Sequence, residues 1–238
     1  MTIGYDAKRA FKNFTGLGNY SRSLISILSE YYPDNEYVLY TPPYKQHTEH
    51  AFAERENIRI VQPKGLYKTF HSTWRTAGIS QYAKQDIVKL FHGLSGDLPM
   101  WLTKQNIRSV VTIHDLIFLR YPEFYKPADR IIYKKKFRTA CNHADLIIAI
   151  SKQTKDDIIS YFGVNENKIR LVYQGCNPQF YNCCSEEEKK NVSLKYKLPG
   201  KYILYVGTIE ERKNFNTIVR ALASMPKDIH LVAIGRST

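Results

Sequence analysis

Cysteine is scarce in this 238-residue chain: Cys141, Cys176, Cys183 and Cys184 have no CxxC spacing. Neither a zinc site nor a disulfide framework is therefore expected, and the thiols read as reduced. No apolar run approaches the roughly 20 residues that cross a bilayer. Met1-Thr2-Ile3-Gly4-Tyr5-Asp6 opens like a strand and not like a signal peptide. The expected location is cytoplasmic, with a peripheral position at the inner face of the membrane left open. His47 and His50 lack the glutamate of a zinc-protease helix and are expected to be surface histidines. The first turn lacks GxGxxG spacing and the acidic ribose ligand about 20 residues on, which argues against a dinucleotide-dependent dehydrogenase. Helix-turn-helix, RNP-type and zinc-finger patterns are also missing, so nucleic acid is not an expected partner.

Acidic residues are the minority charge, 22 Asp+Glu against 35 Lys+Arg, for a net +13. That excess favours anionic partners. Its densest cluster is Lys126, Arg130, Lys134, Lys135, Lys136 and Arg138, interleaved with Ile131, Ile132, Tyr133 and Phe137. A helix there would carry a basic face, with Arg130, Lys134, Lys135 and Lys136 suited to lipid headgroups or an acceptor. The solvated face of an ordinary amphipathic helix explains the same run equally well.

What is abundant is alternation. Short apolar runs are expected as strands at Ile3 to Asp6, Tyr37 to Tyr40, Ile58 to Val61, Val88 to Phe91, Ser109 to Ile113, Leu146 to Ile150 and Arg170 to Val172. Helical periodicity lies between them at Gly18 to Tyr32, Phe70 to Lys84, Ala128 to His143 and Lys152 to Phe162. This is the pattern of a doubly wound α/β domain with a parallel sheet covered on both faces. It lapses from Gln174 to Pro199 into a loop and a charged segment, Ser185 to Tyr196. A β-α-β unit follows: a strand at Tyr202 to Val206, a helix at Asn214 to Met225, and a strand at His230 to Ile234 leading to Gly235-Arg236. The expected domains are 1–178, a complete Rossmann-like unit, and 179–238, an incomplete second one.

Three loops carry candidate chemistry. Gly16 and Gly18 sit between the first strand and a helix, where glycine admits a closely approaching anion or a positive φ. A tight turn without a ligand is an equal alternative. His114-Asp115 follows the strand Ser109 to Ile113, at the carboxyl edge where open α/β sheets bind ligands. There His114 is suited to bond a sugar hydroxyl or carry a proton, and Asp115 to orient it or to cap the next turn. His92-Gly93 stands at the same edge as a lesser candidate. Gly207-Thr208 followed by Arg212-Lys213-Asn214 is the strongest signal. A planar cation and a compact one stand beside a strand-end glycine, where they would neutralise a departing diphosphate, and Asn214 is placed to cap the following helix. A charged β-α loop with no ligand is the plainer reading.

With those residues in hand, the chain resembles the family 4 (group 1) retaining glycosyltransferases of the GT-B fold. The likeness rests on IGYDAKRAFKNFTGLGNYSRSL, LFHGLSGDLP, VVTIHDLIFLRYPEFY, HADLIIAISKQTKDDII, NKIRLVYQGCNPQFY and YILYVGTIEERKNFNTIVRAL, in the family's order. The resemblance implies a retaining hexosyltransferase that moves a sugar from a nucleotide-diphosphate donor to a saccharide or lipid-linked acceptor. It implies that Gly16, Gly18, Arg212 and Lys213 approach the donor diphosphate and that His114 contacts the donor sugar near the reacting centre. Asp115, Gly207, Thr208 and Asn214 support those groups. Neither a metal nor another cofactor is implied. The wording around Gly207 to Asn214 is similar to that of mannosyltransferases of surface-polysaccharide pathways, which favours GDP-mannose.

The chain departs from the family's pattern in two ways. Members continue well past the place where this chain stops, through the carboxylates that hold ribose and sugar. The chain alone is therefore expected to bind donor poorly and to transfer little or nothing. Thr208 stands where some relatives carry arginine, and Gln174 where many carry asparagine. A non-catalytic module that docks on a membrane or partner through the basic face is the alternative from another class.

Overall fold

Thr2–Asp6 (β1), Glu36–Tyr40 (β2), Ile58–Val61 (β3), Leu90–Gly93 (β4), Arg108–Ile113 (β5), Leu146–Ala149 (β6) and Ile169–Leu171 (β7) form one sheet. All its pairings are parallel, in the order β3-β2-β1-β4-β5-β6-β7. The computed structural model describes residues 1–177 and 180–235. The residue 178 end of the expected first domain and the Arg236 strand end lie outside that range. Two compact units divide the chain, Met1–Gly175 and Cys176–Thr238.

In the first unit the helices are Lys8–Lys12 (α1), Gly16–Tyr31 (α2), His71–Thr73 (α3), Ile79–Gln85 (α4), Ile117–Arg120 (α5), Pro127–His143 (α6) and Lys152–Phe162 (α7). Successive side chains of a strand point to opposite faces, and β2 shows both faces covered. Its Tyr37 and Leu39 pack with Ala10, Phe11 and Ile25, whereas Val38 and Tyr40 pack with Trp74, Ile79 and Ala83. A third cluster joins Val111, Ile113, Ile147 and Ala149 to Phe118, Ala140, Ile158 and Phe162. Full burial of each large apolar side chain contributes roughly 1.5–3 kcal/mol, so the continuous apolar runs hold the sheet between its helices. The strand order changes direction between β1 and β4, which puts a crevice at their carboxyl ends.

Several expectations are corrected. Val88 is not in a strand: Ile87 turns left-handed (φ 55°) and the Val88 N–H closes the end of α4 on the Ala83 carbonyl, so β4 begins at Leu90. The helix expected over Phe70 to Lys84 is interrupted by a single π turn, Trp74–Gly78, which carries the fully buried Trp74 into the core. His50 is no surface histidine: it is 1% exposed and its Nε2 lies 3.1 Å from the Phe11 carbonyl. Cys141 is buried, and burial pushes its thiol up to about 12.

In the second unit Tyr202–Val206 (β8) and His230–Ile234 (β9) pair in parallel, with Phe215–Leu222 (α9) between them in sequence. The charged segment, for which no secondary structure is expected from the sequence, forms Glu186–Tyr196 (α8), opened by a capping box between Ser185 and Glu188. Two strands cannot bury both faces of a sheet, and Leu204, Val206 and Ile234 stay exposed.

Candidate functional site

The carboxyl end of β5 delivers His114, half-buried, with Asp115 exposed beside it. Thr154, in the first turn of α7, donates to the His114 carbonyl (2.9 Å), and Ser151 caps that turn by accepting the Thr154 N–H. The backbone at His114 is thereby fixed. Its ring is fixed as well: Nε2 is 2.9 Å from the Leu94 carbonyl, which can only accept, and Nδ1 is 3.0 Å from the Gln174 side-chain nitrogen. Nε2 therefore carries the proton and Nδ1 offers its lone pair to Gln174. Burial lowers the His114 pKa against the opposing effects of Leu94 and Asp115, so the ring is neutral near pH 7. Asp115 takes the capping role, accepting the Ile117 N–H at 3.2 Å, and acts on the imidazole through its charge.

Tyr20, one turn into α2, meets the His114 ring edge-on at 4.6 Å, and its hydroxyl lies 3.0 Å from Thr112 Oγ1. Thr112 is also 2.8 Å from Nε2 of His92, which is buried in β4 and is not a free edge group. The glycine loop and His114 are thus tied through one tyrosine. Of the two glycines, Gly16 is exposed and a Cβ there meets nothing within 4 Å, whereas a Cβ on Gly18 would stand 1.6 Å from the Asn13 carbonyl oxygen. Neither adopts positive φ. Gly18 is explained by close packing of α2 on the end of α1, and Gly16 is left as the open position of the pair. Buried Arg22 holds this loop by donating to the Ala10 and Asn13 carbonyls, each at 2.9 Å.

In the second unit, Gly207 ends β8 with φ 154° and its carbonyl packs where a Cβ on Gly235 would be, 1.7 Å away. Lys213 Nζ folds back over it, 3.2 Å from the Cβ that Gly207 lacks. Arg212 is drawn into an ion pair with Glu210. Thr208 contributes its carbonyl to the Tyr205 hydroxyl at 2.9 Å. Asn214 differs from expectation: it is left-handed, makes no side-chain cap to the backbone of α9, and accepts the Thr217 hydroxyl.

The basic run on α6 separates into different environments. Lys134 and Lys135 are exposed next to exposed Ile131 and Ile132. Arg130 is half-buried with an unpartnered Nε. Lys136 pairs with Asp97 at 2.8 Å, and Asp97 also faces Arg75, whose guanidinium grips Asp6. Residue-by-residue reading overlooked this Asp6-Arg75-Asp97-Lys136 network at the β1/β4 crevice. The available signal was position: Asp6 ends β1 and Asp97 follows β4. Among the described residues no cluster of three or more His, Cys, Asp or Glu is placed to hold a metal, and no helix is long and apolar enough to cross a membrane.

Comparison with known proteins agrees with this architecture. The family model for Glycosyltransferase Family 4 matches residues 15–180, more than half of the chain. The chain is 28% identical over 183 residues to the O-antigen chain mannosyltransferase B of Escherichia coli, covering 76% of this chain and 44% of that protein. It is 27% identical over 148 residues to the serotype-specific mannosyltransferase WbdA of Escherichia coli, covering 60% of this chain and 18% of that one. The chain thus spans less than half the length of these curated relatives. Its fold is shared with Anabaena Alr3699/HepE, solved with UDP and glucose, at TM-score 0.66 and 15% identity over all of this chain and 61% of that one. It is shared too with the lipopolysaccharide outer core galactosyltransferase WaaB, at TM-score 0.55 and 18% identity over all of this chain and 61% of that one.

Proposed function

The chain belongs to Glycosyltransferase Family 4, and from that membership we propose that its units serve a transferase that moves a sugar from a nucleotide-diphosphate donor to a saccharide or lipid-linked acceptor, with retention at the anomeric carbon. The chemical obstacle is departure of a diphosphate through an oxocarbenium-like transition state. Cations aimed at the departing charge lower that barrier. Arg212 and Lys213 take this part. Glu210 must release Arg212 when donor arrives, because carboxylate and diphosphate compete for the same guanidinium.

His114 is the observation that carries this reading. It is a neutral imidazole at a strand end, with its backbone and Nε2 both anchored and its one lone pair held only by the exposed Gln174. A sugar hydroxyl that displaces Gln174 finds Nδ1 already oriented as an acceptor. We favour GDP-mannose as donor, on the strength of the mannosyltransferase relatives. The two-stranded sheet of the second unit also supports slow donor turnover by this chain acting alone. Calorimetry with GDP-mannose, UDP-glucose, GDP and UDP tests the proposal. Donor affinity that falls about tenfold or more in R212Q/K213Q is expected; indifference to every nucleotide sugar, by this chain and by a protein with a whole second domain, would sink it.

One observation favours an added surface role. Ile131 and Ile132 are 71% and 55% exposed beside Lys134 and Lys135, an apolar-basic pairing suited to anionic lipid. Co-sedimentation with phosphatidylglycerol vesicles, weakened in K134E/K135E, is the expected result; unchanged retention removes the idea.

A further inference from the structure

We propose that the cavity bounded by Lys8, Lys12, Pro42, His71, Ser72 and Arg75 is a phosphoryl-binding site, and that the acceptor of the transfer arrives carrying a phosphate or diphosphate seated there. The inference rests on the glycosyltransferase reading above and names the acceptor's chemistry.

Position comes first. Lys8 and Lys12 belong to α1, which follows β1 directly, Pro42 follows β2, and His71 to Arg75 run through α3 into the π turn. The cavity therefore opens at the carboxyl edge of the sheet, beside the point where strand order reverses and doubly wound sheets bind their ligands. Its volume is about 240 Å³, ample room for a phosphoryl or diphosphoryl group. Lys12 is shared with a neighbouring groove of about 760 Å³, walled by Phe14, Pro43, Tyr44 and His47. An anion in the smaller space would leave the rest of its molecule against aromatic faces, which suit sugar rings and prenyl chains alike.

Charge supplies the second argument. Arg75 and Lys136 are answered by Asp6 and Asp97. Among the described residues Lys8 makes no ion pair and meets the Asp6 carboxylate only at longer range, and Lys12 Nζ donates to the Pro43 carbonyl at 3.2 Å. Two ammonium groups thus remain without a direct ion-pair partner among the described residues, which suits the −1.5 to −2 charge of a phosphate monoester near neutral pH. His71 lines the same cavity with a buried Nδ1 that has no hydrogen-bond partner. The crowding is electrostatically unfavourable as it stands: burial, then Arg75 and Arg9, hold the Lys8 pKa below its usual value against the opposing pull of Asp6. A dianion relieves that repulsion, whereas a neutral saccharide does not. The lysines suit phosphate as compact point charges.

The test is calorimetry of the full chain at low salt with inorganic pyrophosphate as the common probe, geranyl diphosphate for a lipid-linked source and glucose 6-phosphate for a soluble one. Pyrophosphate is expected to bind, K8Q/K12Q to raise its Kd about tenfold or more, and the distant charge loss K104Q to leave it unchanged. Preference for geranyl diphosphate assigns the phosphoryl group to a lipid carrier, and preference for glucose 6-phosphate to a soluble sugar phosphate. Binding that survives K8Q/K12Q, or that disappears only in R212Q/K213Q, overturns the site while leaving the donor reading intact. Absence of pyrophosphate binding overturns it too. Should K8Q/K12Q fail to fold, acetylation footprinting of the unaltered chain decides: pyrophosphate must slow labelling of Lys8 and Lys12 relative to Lys104, and equal rates reject the site.

Discussion

His92 shows how far a single residue's chemistry depends on its surroundings. Buried in β4 against Thr112, its pKa falls from 6.5 to about 4, by burial first and by the nearness of His114 second. Between those values the unfolded chain takes up a proton that the folded chain refuses. Stability therefore falls as pH drops from about 6.5 toward 4, by about 3 kcal/mol in total. Urea midpoints at pH 7 and pH 4 should show a smaller difference in His92→Gln than in the parent, since glutamine keeps a hydrogen bond to Thr112 without titrating. The two loop glycines separate in the same way. Gly18→Ala forces a Cβ onto the Asn13 carbonyl and is expected to destabilise by roughly 1–3 kcal/mol. Gly16→Ala meets nothing, and its Tm should stay at or slightly above the parent's. At this scale the sequence showed that the histidines stand at strand ends and the two glycines at a helix start, because residue type and order are local facts. It did not show that Gly18 serves packing or that His92 is sealed in, because both depend on atoms far away along the chain.

Among the elements, the long apolar runs were legible, and β3, β8, β9 and α7 have the bounds that periodicity predicts. The misses share a physical cause. α1 spans five residues and α5 four, less than two turns, too short for a 3.6-residue period to register. The π turn at Trp74–Gly78 shifts the helical phase by a residue and coincides with the fully buried Trp74, neither of which the local period shows. α8 has no buried residue and no apolar stripe to read, yet Ser185 and Glu188 cap it and Glu186, Glu187 and Glu188 complement its dipole. Because capping carries so much of this helix, Ser185→Ala should lower its local stability by about 1 kcal/mol. Faster amide hydrogen exchange across Glu186–Tyr196, with the first unit unchanged, is the expected readout.

For the molecule as a whole, the unequal cores of the two units set a hierarchy of stability. The first has three buried clusters on both faces of seven strands. The second has a two-stranded sheet and leaves Val206 69% and Ile234 58% exposed. Opening free energies follow buried apolar contact. Amides of β8 and β9 are therefore expected to exchange at least about tenfold faster than those of β1, β2 and β5, while equal protection would contradict the ranking. Composition and alternation by themselves determined the α/β class, the parallel sheet, the strand-end candidates and the excess of positive charge, since each follows from local order along the chain. Tertiary structure alone decided which charges are spent. It took Lys136 and Arg75 into pairs with Asp97 and Asp6 and left Lys8 and Lys12 without an ion pair among the described residues, because only folding brings β1, the π turn after α3 and α6 close enough for their charges to meet.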